Sequence, residues 1–209
     1  DIVDVVDLDA DLAPNNSGIK YEITGVVYGI DYDGNAGLSF TIIDATSGVN
    51  IFNFVDVSDY VVTEGDEITA RGEIDFYNGL LELKVDSIKV NSSGNTLAKP
   101  TLVAKPTEDT ESKFIQLEKV WIADGTTEWP DNDNVLLTND AMDTFQIRID
   151  KDIPGIVGEA VVFDTMTIVG IGGQFDESAP YDEGYQIFPR GLDDIMEWKS
   201  KVSVKELNR

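Results

Sequence analysis

Asp31-Tyr32-Asp33-Gly34-Asn35 alternates carboxylate and amide oxygens in the manner of a calcium-binding turn, and Asp31, Asp33 and Asn35 are candidate ligands for one Ca²⁺. The spacing is not that of an EF-hand, since glycine falls at the fourth place instead of the sixth and Ile42 stands where a bidentate glutamate belongs. Asp131-Asn132-Asp133-Asn134 has the same oxygen-rich character, which turns also favour for their own backbone reasons. Glu64-Gly65-Asp66-Glu67 and Asp193-Asp194 are close carboxylates of the kind that glycosidases use. With 40 acidic residues, however, such pairs arise by chance, and no spacing singles one out. The chain has no His and no Cys. That excludes imidazole acid/base chemistry, cysteine nucleophiles and ordinary zinc sites, leaving a carboxylate- or metal-dependent hydrolase as the only enzymatic reading. Gly170-Ile171-Gly172-Gly173 lies in a strand-like run, so it is no dinucleotide loop.

A second group of residues suits binding better than catalysis. Phe52, Phe54 and Tyr77 with Arg71 and Lys84 offer aromatic faces and cations that stack and hold a base or sugar. The competing reading half-buries Phe52 and Phe54 and pairs Arg71 with Glu73 or Glu82 across a hairpin. In the second half, Trp121, Trp129 and Tyr181 sit in or beside loops, as stacking surfaces or as barrel plugs. Arg148 faces outward with Gln146 if Phe145, Ile147 and Ile149 are core. Arg190 has acids within reach and reads as a structural ion pair.

These side chains hang on strands. Runs of strand period cover residues 21–28, 37–43, 49–54, 68–74 and 80–85, with Asn78-Gly79 as a tight hairpin between the last two. Asn91 to Asn95 followed by Pro100 and Pro106 is rich in chain breakers. After it the same order recurs at 113–123, 135–138, 144–150, 165–171 and 185–189. Residues 1–18 read as an extended arm or edge strand, 19–92 as one domain, 93–108 as a linker, 109–198 as a second domain and 199–209 as a tail. Five short strands, a long third connection and a fourth-to-fifth hairpin are the layout of the OB-fold, a small Greek-key barrel. The fold class expected is all-β, two such barrels in tandem.

Gly25-Val26-Val27, Phe40 to Asp44, Val62 to Gly72 and Tyr77 to Leu83 resemble the OB-fold domains attached to secreted bacterial nucleases and phosphoesterases. Ile171 to Asp176, Gly184 to Arg190 and Asp193-Asp194-Ile195 are similar to modules of large secreted proteins of the Bacteroidetes type. The resemblance spans residues 20–198. It implies a secreted or cell-surface, non-catalytic binding and spacer module, with other domains of a parent protein and a glycan or protein ligand as partners. A single-stranded nucleic-acid-binding accessory of a nuclease is the alternative. The net charge of -25 opposes that alternative, because a phosphate backbone is repelled unless a local basic patch forms. No run of apolar residues is long enough for a membrane span.

Overall fold

The computed structural model describes residues 1–34 and 37–200. In the first half β1 (Lys20–Tyr28), β2 (Leu38–Ile43), β3 (Gly48–Asn53), β4 (Glu67–Tyr77) and β5 (Leu80–Ser92) form a closed barrel in the order β1-β2-β3-β5-β4. The alternation of the sequence decides which residues fill it. Leu38, Phe40 and Ile42 from β2, Val49 and Ile51 from β3, Ile68 and Ile74 from β4, and Leu83 and Val85 from β5 are buried inside. Asn78 and Gly79 both take positive φ, the backbone of a type I′ turn, and so join β4 to β5 in the tight hairpin that their sequence predicts.

The second half has β6 (Thr101–Val103), β7 (Phe114–Ile122), β8 (Asp133–Thr138), β9 (Thr144–Ile149), β10 (Met166–Gln174), β11 (Tyr185–Phe188) and β12 (Ile195–Glu197). They run β12-β10-β11-β9-β8-β7-β6, and β10 pairs with β7 as well. That extra pairing closes β7-β8-β9-β11-β10 into a ring with the connectivity of the first barrel. The parallel pair β9–β11 takes the place of the parallel pair β3–β5. β10 pairs first with β12 and then with β11, as β4 pairs along the whole of β5. β11 and β12 are therefore one fifth strand, interrupted by Pro189 and the 3-10 turn Leu192–Asp194. The protein is all-β and carries two OB-fold-like barrels.

Two segments differ from the sequence reading. The N-terminal arm, expected to be extended, opens with a 3-10 turn over Ile2–Val5 whose Ile2 and Val5 enter the first barrel's core. Two apolar side chains three apart on one turn can plug a barrel mouth, whereas on an extended strand they would point to opposite faces. The Ile2 backbone N–H donates to Asp44 and pins the turn. The stretch expected to be a linker contributes β6, which pairs in parallel with β7.

The barrels share a core. Tyr28, Phe114, Val169 and Ile171 are buried together, with Val26, Ile43, Leu97 and Phe188 packed against them. A Cβ on Gly48 would overlap the Ser112 backbone carbonyl, so glycine there is what lets the two barrels approach.

Candidate functional site

An OB barrel presents a ligand across its second and third strands. Phe40 and Ile42 of β2 and Val49 and Ile51 of β3 point inward, so Ser39 and Thr41 of β2 and Asn50, Phe52 and Phe54 stand on the outer face. Glu82 and Lys84 of β5 lie beside them through the parallel register Asn50↔Glu82 and Phe52↔Lys84. The two halves of this face differ. At one end Thr41, Asn50 and Glu82 are buried. Ser39, Thr41 and Asn50 meet Ile171, Gly172, Gly173 and Phe188 of the second barrel across a cavity of only about 40 Å³. Asn50 donates to Glu82 at 3.0 Å, and burial pushes the Glu82 carboxyl up to about 7. The second barrel seals that end of the first barrel's ligand face.

The other end is open. Phe54 is 68% exposed and meets Phe52 edge to face at a centroid distance of 4.8 Å. The Lys84 ammonium lies 5.8 Å from the Phe54 centroid and 3.9 Å from the Asp75 carboxylate. This is an aromatic platform with one donor and one acceptor beside it. Tyr77, also exposed, lies at the β4–β5 hairpin beyond the buried Glu82, where its ring meets Phe175 edge-on at 6.1 Å and the neighbouring Phe76 meets Tyr181 at 4.8 Å. The structure thus groups Phe52, Phe54 and Lys84, and places Tyr77 apart from them.

Arg71 faces neither platform nor the acids expected for it. β4 bulges between Arg71 and Gly72, and the guanidinium lies 3.4 Å from Asp86, which Lys20 also engages at 2.7 Å. Arg148 is on the outer face of β9, donating to the Asn132 backbone and side chain and lying 3.9 Å from Asp150. Trp121 belongs to β7, opposite Thr138 in β8, and Trp129 is a buried core residue. Phe175 is not singled out as a site residue by the sequence, because only the β4–β5 hairpin packing on the loop after β10 gives it a partner.

Several of the carboxylates that suggested chemistry are engaged by the chain itself. Asp31 accepts from the backbone N–H groups of Asp33 and Ser39 at 3.0 and 2.9 Å, so it braces its own turn. Burial raises its pKa. Asn35 lies outside the described residues, and among those described no group of three acids is arranged to hold a metal ion. Glu64 and Asp194, one from each expected pair, converge on Arg190, which donates to them at 2.8 and 2.7 Å while its guanidinium lies 4.5 Å over the Phe114 ring. One arginine thereby ties the barrels together. Asp66 is buried beside the Tyr60 hydroxyl.

A further concavity of about 650 Å³ opens on the second barrel, lined by Trp129, Val162, Phe163, Met166, Ile195 and Met196 with Glu159, Asp193 and Glu197 among them. Its parts come from the β7–β8 and β9–β10 connections, from the start of β10 and from β12 with the turn before it, so no local motif announces it.

Strand order and closure make this a tandem OB-fold-like barrel protein. No family model matches the chain, and no curated protein matches it significantly. Similar solved structures include the asparaginyl-tRNA synthetase from Pyrococcus horikoshii, at 20% identity over 40% of this chain and 22% of that one, with a TM-score of 0.32. Another is the tetrameric p202 HIN2, at 11% identity over 84% of this chain and 90% of that one, with a TM-score of 0.37. At these scores the likenesses name no ligand. No helix among the described residues is long and apolar enough to cross a membrane.

Proposed function

We propose that this chain is a non-catalytic binding and spacer module of a larger secreted bacterial protein, and that it holds a neutral glycan on the open end of the first barrel. The observation that carries this reading is the exposed Phe54–Phe52 platform with Lys84 and Asp75 at its edge, the part of the ligand face left uncovered by the second barrel. An exposed aromatic face accepts the apolar face of a sugar ring, and the flanking charged groups bond its hydroxyls. A neutral ligand does not feel the net charge of -25 that repels polyanions.

Single-stranded nucleic acid would use the same platform but needs free cations nearby. Here Lys84 lies against Asp75, and Arg71 and Lys20 lie against Asp86. Screening the full chain on an array of neutral oligosaccharides, with titration calorimetry on the hits and a labelled oligothymidylate in parallel, tests the reading. Binding of a neutral glycan is expected, weakened at least about tenfold by Phe54→Ala with an unchanged melting temperature, because Phe54 is outside the core. Salt-sensitive oligonucleotide binding without glycan binding, or glycan binding that ignores Phe54→Ala, would overturn it.

A further inference from the structure

The second barrel carries a site of a different kind. β12 stands at the end of the sheet order, hydrogen-bonded to β10 on one side, and no described strand pairs with its other edge. All three of its residues, Ile195, Met196 and Glu197, line the 650 Å³ concavity. Across that space the β9–β10 connection supplies Val162, 72% exposed, and Phe163, over a floor of Trp129 and Met166. An unpaired strand edge offers backbone donors and acceptors to an added strand, and an apolar hollow beside it takes that strand's alternate side chains. Two of the protein's three methionines line the hollow, and their flexible thioethers adapt to different apolar side chains.

Charge selects the occupant. Glu159, Asp193 and Glu197 stand among the lining residues, and Lys199, the one cation among the described residues that line it, lies 3.4 Å from Glu197. Among the described residues neither Glu159 nor Asp193 has an ion-pair partner. An acidic rim on a strongly acidic molecule attracts cationic groups and rejects acidic ones. We propose that β12 and the adjoining hollow bind an extended peptide of a partner protein by strand addition, with apolar residues alternating with lysine or arginine. The apolar side chains enter the hollow between Val162 and Met196, and the basic ones meet Glu159, Asp193 and Glu197. This site is independent of the aromatic platform on the first barrel.

The test is fluorescence anisotropy of a labelled seven-residue peptide alternating lysine and valine, titrated with the full chain. Saturable binding is expected, weakened at least about fivefold by Met196→Asp, and also by the pair Asp193→Asn with Glu197→Gln. Melting curves confirm that the variants remain folded, and Phe54→Ala should leave peptide affinity unchanged. Peptides with glutamate in place of lysine, or with N-methylated backbone along one edge, should fail to bind. The proposal is overturned by absence of binding, by equal binding of a peptide with glycine in place of valine, or by folded Met196→Asp protein that binds normally. Binding that emerges only after removal of residues 201–209 also overturns it, in favour of an occupant from the chain itself.

Discussion

At the scale of single residues, the acids of this protein divide by what surrounds them, not by how they are spaced in the sequence. Glu111 reaches from the second half to accept the Leu81 backbone N–H at 3.1 Å, and its other carboxyl oxygen is buried without a partner. Burial, reinforced by Glu108, pushes its pKa up to about 8. Glu82, buried with Asn50, is raised to about 7. A carboxyl whose folded pKa lies above its unfolded value binds more protons in the folded state, so stability falls as pH rises from about 4.5 toward the raised value, and then levels off. Below pH 4 the opposite group acts. Asp44 and Asp124, held below their usual range by several hydrogen bonds despite partial burial, lose their stabilising bonds on protonation. The melting temperature should therefore peak between about pH 4 and 5 and decline toward pH 9. Glu111→Gln should flatten that decline and raise the melting temperature at pH 8.5. A decline of equal slope in the variant would show that Glu111 is not its source.

At the scale of elements, the strand runs, the Asn78-Gly79 hairpin and the repeated order of five strands were legible in the sequence, because alternation of Leu38, Phe40 and Ile42 or of Phe145, Ile147 and Ile149 reports a buried face directly. The N-terminal turn was not. Ile2 and Val5 lie among acids in a segment that reads as extended, and only the open barrel mouth gives them a place on one turn. Ile2 is fully buried, so Ile2→Ala should cost about 2–4 kcal/mol by chemical denaturation, the penalty of an unfilled core site. An edge strand lying on the surface would lose far less. The interruption of the second barrel's fifth strand was equally hidden. Phe188-Pro189 ends β11, and the excursion that follows brings Arg190 to Asp194 and returns the chain as β12 beside β10.

At the scale of the whole molecule, two barrels that each resemble an independent domain are joined by a common core and an ion-pair bridge. The shared cluster around Tyr28 and Phe114 and the Arg190 bridge to Glu64 and Asp194 make that coupling. Calorimetry should give a single unfolding transition. Arg190→Leu should lower stability by about 2–3 kcal/mol, since it leaves the largely buried Asp194 carboxylate without its cation. Gly48→Val, whose side chain overlaps the Ser112 carbonyl, should split the transition in two and enlarge the radius of gyration measured by X-ray scattering. One unsplit transition with an unchanged radius would mean that the barrels are not joined through that contact. The sequence by itself determined the all-β class, the two sets of five strands and the strongly negative net charge, because periodicity and net charge are local or additive properties. The tertiary structure alone decided which outer faces remain open. The pattern that marks Thr41 as outward cannot say which parity of β3 joins it or that another barrel lies against it, nor that β12 and the β9–β10 connection enclose a hollow. Those facts depend on contacts between segments far apart in the chain, and such contacts leave no period behind.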